Sequence, residues 1–342
     1  MKPFYCDCGR RVFFDNDSCL GCGRALGFDF TGLRLRALEP TSGDTFRSRE
    51  GGLYRYCANR REFGHCNWLV PAGDAAALCA SCRLNEIIPA VDHADNLKLW
   101  ARVERAKRRL LYSIGKLGLP LARVDGGMPL RFRFLEDRRR NPDVREDFVA
   151  IAHEGGAVTI NIAEADDAVR HAVREQMQER YRTVLGHLRH EAGHYYFAQL
   201  VASDAGLARC RAVFGDERED YAAAMQGHYD AGPPPDWPER FISAYASAHP
   251  AEDFAETFAH FLHIDDALET AYTAGLSAAR AGDATAGDGW IDDWVRLAIM
   301  LNEILRSLGV DDPYPFVLTS PVREKLAFIG RLVYRRGSPA GG

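Results

Sequence analysis

The sequence predicts an α+β protein in two parts. Residues 1–90 read as tandem cysteine-bearing units of short strands and turns, and residues 91–342 as a mostly helical domain with a small antiparallel sheet. Three observations carry this: eight of the nine cysteines lie between Cys6 and Cys82, short alternating apolar segments lie between 130 and 162, and apolar residues recur at helical spacing from about 164 onward. The chain has 342 residues, 46% hydrophobic and 27% charged. That is enough for two domains and excludes a disordered chain, which could not bury sufficient apolar surface. No apolar run reaches the ~18 residues a membrane span needs, and Met1 to Cys6 lacks the apolar core of a secretory signal. A net charge of -5 is too small to imply a nucleic-acid or membrane partner.

The cysteine spacing is specific. Cys6-x-Cys8 is followed by Cys19-x-x-Cys22, and Cys57 and Cys66 are followed by Cys79-x-x-Cys82. A Cys-x-x-Cys turn sets two thiolates on one side of a tight knuckle, where a tetrahedral cation takes both. Two such pairs close a four-thiolate site with no position left for water. We therefore expect two structural zinc ions, one on Cys6, Cys8, Cys19 and Cys22, the other on Cys57, Cys66, Cys79 and Cys82, with His65 an alternative to Cys66. The competing framework of four disulfides is disfavoured in a cytoplasmic protein, and cytoplasmic is the expected location. A core of under ~90 residues is marginal alone, and a structural zinc contributes on the order of 10 kcal/mol. Cys210, solitary in an Ala/Arg-rich stretch, reads as a small core residue.

After the cysteines, residues 94–118 read as a helix, with Leu97, Trp100, Val103, Leu110, Leu111 and Ile114 on its apolar face. Residues 91–140 carry 13 Lys/Arg against 6 Asp/Glu. This excess reads as a solvated helix face rather than a grip for an acidic partner. Candidate strands follow at Leu130–Leu135, Phe148–Ala152 and Ala157–Ile162, the last two joined by Glu154-Gly155-Gly156. Asp166–Ser203 reads as a long helical region and Arg209–Met225 as a further helix. Phe241–His263 is helical with a break at His249-Pro250, residues 281–289 form a surface loop, Ile291–Leu308 is amphipathic, and Ser320-Pro321 opens a last helix.

The chemistry concentrates at His190-Glu191-Ala192-Gly193-His194. Residues four apart on a helix face the same way, so both imidazoles can reach one zinc. Glu191, one residue round, can reach a metal-bound water and take its proton without ligating. A bare helix with surface histidines is the bland alternative, and the strands before it and the acidic helix after it argue against that. Gly193 lets another backbone come close. A zinc hydrolase needs a third protein ligand. Extending the same helix to a third histidine would need Gly at 197 and His at 200, where the chain has Phe197 and Leu200. The best source is Pro250-Ala-Glu252-Asp253-Phe-Ala-Glu256, on which Glu252 and Glu256 share a face. One of the two should bind zinc, and the other should hold the outer nitrogen of a ligating histidine.

His190-Glu191-Ala192-Gly193-His194 together with Glu252-Asp253-Phe254-Ala255-Glu256-Thr257-Phe258 resembles the gluzincins, in particular bacterial zinc-binding metallopeptidases with an N-terminal zinc ribbon. That resemblance runs from Cys6 to about Arg335. The second motif is also similar to that of the anthrax lethal factor peptidases, over the two active-site helices only. There, Glu-x-Phe-Ala-Glu carries the third ligand on its first glutamate, with a tyrosine seven residues earlier. The resemblance implies a zincin-like catalytic domain, Glu252 as the ligand, Glu256 beside a ligating histidine, and Tyr245 as donor to the developing oxyanion. His228 and His249 are further candidate donors, and Ala157–Ile162 is the candidate edge strand for a substrate peptide.

The expected protein is a zinc metallopeptidase with one catalytic and two structural zinc ions, acting on a peptide or protein through its amide or isopeptide bonds. The alternative is a catalytically inert zinc-ribbon scaffold for a protein partner. Nucleic acid is not expected, because the cysteine units lack interleaved aromatic and basic residues.

Overall fold

The structure is a computed structural model and describes residues 1–93, 95–122, 126–138, 141–144, 152–177, 183–276 and 288–337. The fold is α+β, as the sequence predicts. Strands β1 (Phe4–Tyr5) and β2 (Arg11–Val12) pair as a hairpin. Next come β3 (Ala25–Asp29), β4 (Arg34–Pro40), β5 (Thr45–Ser48), β6 (Leu53–Tyr56), helix α1 (Ala58–Phe63) and β7 (Leu69–Pro71). β3 to β7 form one antiparallel meander in chain order, spanning the stretch from the first cysteine quartet to the second. The meander curls back on itself, because the Phe28 amide donates to the Asn67 carbonyl at 2.8 Å.

The second sheet contains β8 (Asn85–Ile87), β9 (Arg131–Leu135), β10 (Ala152–Glu154) and β11 (Ala157–Asn161), with helix α2 (Asn96–Lys116) between β8 and β9. Its order is β10-β11-β9-β8. Only the β10–β11 hairpin is antiparallel, while β11–β9 and β9–β8 run parallel. The sheet is thus mixed: α2 returns the chain to the starting edge, which is what a parallel neighbour requires. The expected edge strand is corrected here. β11 lies between β10 and β9, since the Gly155-Gly156 turn folds β10 onto its outer side, and β10 takes the edge position. The expected strand Phe148–Ala152 overlaps β10 only at Ala152, and residues 148–151 lie outside the described residues, as do 281–287 of the expected loop.

Helices make up the remainder: α3 (Asp167–Met177), α4 (Val184–Leu200), α5 (Asp204–Phe214), α6 (Tyr221–Ala231), α7 (Trp237–Arg240), α8 (Pro250–Thr273), α9 (Trp290–Ser307) and α10 (Ser320–Gly337). The helix expected over Arg209–Met225 is two helices. Gly215, at φ 99, ends α5, and the Asp220 carboxylate caps α6 by accepting the Ala223 amide. Among the described residues no helix is long and apolar enough to cross a membrane.

The basic residues of α2 are not all on a solvated face. Lys107 and Arg108 are buried. Lys107 bonds the Ser81 carbonyl and Glu104, and Arg108 donates to the His65 carbonyl at 3.0 Å. Burial opposes the Arg108 charge, but Cys66, Glu104 and Cys82 outweigh it and raise the guanidinium's pKa. Lys116 pairs with Asp265 and Asp266 of α8. Part of the charge of this segment, on Lys107, Arg108 and Lys116, therefore offsets thiolates and carboxylates inside the molecule. On the same helix, Tyr112 packs edge-on to Phe4, Phe14 and Phe28, which ties the cysteine-bearing part to the helices.

Helices α4 and α8 form the centre of the second part. Phe197 meets Phe254 edge-on at 5.0 Å, and Tyr196 stacks on Phe258 at 5.7 Å. Their backbones nearly touch at Gly193, where an added Cβ would sit 2.8 Å from the Ala255 Cα and 3.1 Å from its carbonyl oxygen. No side chain fits there unless the helices separate. Gly193→Ala is expected to cost about 1–3 kcal/mol of stability and to weaken zinc binding at the His190 site, read as a lower melting temperature and a lower metal affinity in the same preparation.

Candidate metal centre

Thr183 caps α4 by accepting the Gly186 amide, and α4 carries His190 and His194 one turn apart. His249 caps α8 with its Nδ1, Pro250 takes the first turn, and Glu252 follows on the inner face. The two helices bring three donor atoms together. His190 Nε2 and His194 Nε2 are 3.1 Å apart, and Glu252 Oε2 lies 3.0 Å from the first and 3.5 Å from the second. Ligands at zinc's usual bond lengths in a tetrahedron stand about 3.3 Å apart, so these three fit one ion. Glu252 Oε2 is buried against the two imidazole nitrogens, and a cation among the three atoms would offset a carboxylate charge that is costly to bury.

The surrounding groups fix the orientation of these donors. His190 Nδ1 lies 2.7 Å from Glu256 Oε1, whose other oxygen accepts from the Ser243 hydroxyl at 2.8 Å. The outer nitrogen is thereby held as the protonated one, leaving Nε2 free for a metal. Asp253 points elsewhere and pairs with Lys325 at 2.6 Å. Burial raises the Glu191 carboxyl above its ordinary value, against the pull of His190 and His194. Tyr245 sits on a short 3-10 turn, Tyr245–Ser247, with its ring 5.9 Å from that of His190. Burial and then Glu252 raise its phenol, so it keeps its proton.

The other sequence candidates lie apart from the donor trio. His249 is engaged at both nitrogens, donating to the Glu219 carbonyl and accepting the Ala251 amide, so it acts as a cap. His228 stands edge-on to Tyr245 at 6.3 Å. A histidine further along α8, His260, bonds the Tyr314 hydroxyl, and burial lowers its pKa to about 4. Two residues were missed: Ser243, and Tyr221, whose hydroxyl donates to Glu252 Oε1 at 2.9 Å. Neither lies at a spacing that marks it, and only the tertiary fold brings Tyr221 to a residue 31 positions away.

Both cysteine quartets converge as well. Sulfur separations are 3.6 and 3.7 Å in the first, and 3.7 and 3.8 Å in the second. Four thiolates around zinc stand about 3.8 Å apart, and a disulfide would need about 2.05 Å. Cys66 takes the fourth place in the second quartet, while His65 packs its ring on Trp100 at 4.4 Å.

This chain belongs to a family described as zinc-binding and assigned to the metallopeptidases by description alone. The family model described as "putative zinc-binding metallo-peptidase" matches residues 96–332, and a zinc-ribbon domain model matches residues 3–93. Uncharacterised proteins of Mycobacterium tuberculosis and Mycobacterium bovis are each 41% identical to it over 343 residues, covering 97% of this chain and 95% of their own. No solved structure matches it. Zinc binding follows from the family and the two quartets together.

Burial alone would lower the His190 pKa, but hydrogen bonds to Glu252 and Glu256 raise it well above the ordinary imidazole value. Without metal, His190 therefore stays protonated at neutral pH, and a cation must displace that proton. Metal uptake at this site is expected to release protons, and affinity should climb with pH across roughly 6 to 8 without levelling at the ordinary imidazole value. Calorimetric titration in buffers of different ionisation enthalpy reads both, and a flat profile would contradict the geometry.

Proposed function

We propose that this protein is a gluzincin-type metallopeptidase that hydrolyses amide or isopeptide bonds of a peptide or protein, with one catalytic and two structural zinc ions. The observation that carries it is the convergence of His190 Nε2, His194 Nε2 and Glu252 Oε2 beside a buried Glu191. Zinc held by these three atoms supplies a Lewis acid that polarises a carbonyl and lowers the pKa of bound water toward ~7.

The protein's own groups do the rest. Glu191, made more basic by burial, takes a proton from the attacking water as its oxygen bonds to the carbonyl carbon. It then delivers that proton to the nitrogen as the C–N bond breaks, so one water is consumed and an acid and an amine leave. Tyr245, kept protonated, donates a hydrogen bond to the carbonyl oxygen as negative charge develops there. Glu256 and Ser243 hold the His190 ring in the tautomer that leaves Nε2 available. The cysteine quartets, each holding one structural zinc ion, order the N-terminal part.

Glu191→Gln keeps the carboxylate's shape but cannot accept a proton. It is expected to retain all three zinc ions and lose about 10²–10⁴-fold in turnover of a peptide library read by mass spectrometry. Retained turnover refutes the role of Glu191. Two metal ions in the unsubstituted chain instead of three would favour the inert scaffold.

A further inference from the structure

We propose that Tyr221 is a positioning residue for the third metal ligand, holding one oxygen of Glu252 so that only the other faces the metal, and that His249 holds Tyr221 in place. The inference rests on the metal-centre reading above and deepens it. Glu252 has two oxygens with different neighbours. Oε2 faces both imidazole nitrogens, while Oε1 accepts the Tyr221 hydroxyl at 2.9 Å. A carboxylate can bind zinc through one oxygen or both, and a catalytic site needs a position kept open for water and substrate. With Oε1 engaged by a phenol, Glu252 is held to one-oxygen ligation.

Tyr221 reaches this place through a specific set of contacts. It is the first residue of α6, whose start is fixed by the Asp220 cap. The His249 ring stands edge-on to the Tyr221 ring at 5.2 Å. Its Nε2 donates to the carbonyl of Glu219, two residues before Tyr221, at 3.1 Å. Its Nδ1 accepts the Ala251 amide at the head of α8, one residue before Glu252, at 3.0 Å. One imidazole thus registers the start of the helix that carries the donor against the start of the helix that carries the ligand.

A purely structural role fits Tyr221 poorly. Its side chain is 48% exposed, so it contributes little core, yet its hydroxyl is aimed at a carboxylate that is 1% exposed. Met225 is the only buried residue of α6. Tyr221 and His228, seven residues apart, lie on one helix face, and His228 meets Tyr245 edge-on.

The test uses the full chain with zinc left on both cysteine quartets and the histidine site stripped and titrated with cobalt(II). Tyr221→Phe is expected to bind cobalt on the order of 10- to 100-fold more weakly. It should also give a weaker, shifted visible spectrum as Glu252 turns to two-oxygen ligation, while both cysteine-bound zincs and the melting temperature stay as before. His249→Asn, which can still cap α8, is expected to weaken the same site. Unchanged affinity and spectrum in Tyr221→Phe overturn the proposal, and unchanged affinity in His249→Asn removes the part given to His249. His194→Ala separates the two readings: it should abolish cobalt binding, and if it binds as tightly as the unsubstituted chain, the metal centre itself is wrong.

Discussion

The backbones of α4 and α8 approach at Gly193 and Ala255 to a distance that admits no Cβ, and the geometry of the centre follows from that approach. Two imidazoles on one helix and a carboxylate on the other come within 3.0 to 3.5 Å only because nothing stands between the helices at this level. Phe197, Phe254, Tyr196 and Phe258 flank the contact and resist its opening. Interiors packed this tightly transmit displacement rather than absorb it. A small separation at Gly193 therefore moves the ligand atoms directly.

Helix α8 also carries a run of buried and half-buried acids, and each is matched by groups on other elements. Glu252 faces His190 and His194, Asp253 pairs with Lys325 of α10, and Glu256 is held by His190 and Ser243. Further along, Asp265 meets Lys116 and Tyr334, Asp266 meets Arg189 and Ser113, and Glu269 accepts from Tyr112. Removing one partner of such a buried pair costs about 3–5 kcal/mol, because a bare charge remains. The matching thus fixes α8 in rotation and register against α2, α4 and α10. Near its start Glu252 and Glu256 face the His190 ring while Asp253 turns to α10, and the acids near its end lock the scaffold.

The two parts of the chain are joined through α2. Tyr112 packs on Phe4, Phe14 and Phe28 on one side and bonds Glu269 of α8 on the other. Arg108 lies against the second cysteine quartet, which carries excess negative charge when it holds a dication. The cysteine-bearing part is therefore continuous with the helical core, and metal-stabilised strands brace one face of the helix that supports α8.

Much of this was legible in the sequence, for identifiable reasons. The Cys-x-x-Cys turns and the four-residue spacing of His190 and His194 are local geometry, set by a knuckle or one helical turn whatever the surroundings. Gly193 could be read as a point of close approach because glycine alone permits one. Bare spacing on α8 left Glu252 and Glu256 equivalent, as both face the same way. Only the rotation of α8 against α4, together with Lys325 drawing Asp253 aside, put Glu252 at the inner nitrogens and Glu256 at the outer one. Strand position, the burial of Lys107 and Arg108, and the arrival of Tyr221 and Ser243 likewise depend on contacts between segments far apart in sequence. The sequence by itself determined which side chains could share an ion within a turn or a helix, since covalent spacing sets that. The tertiary structure decided which partners complete each site, since that depends on how helices and strands pack.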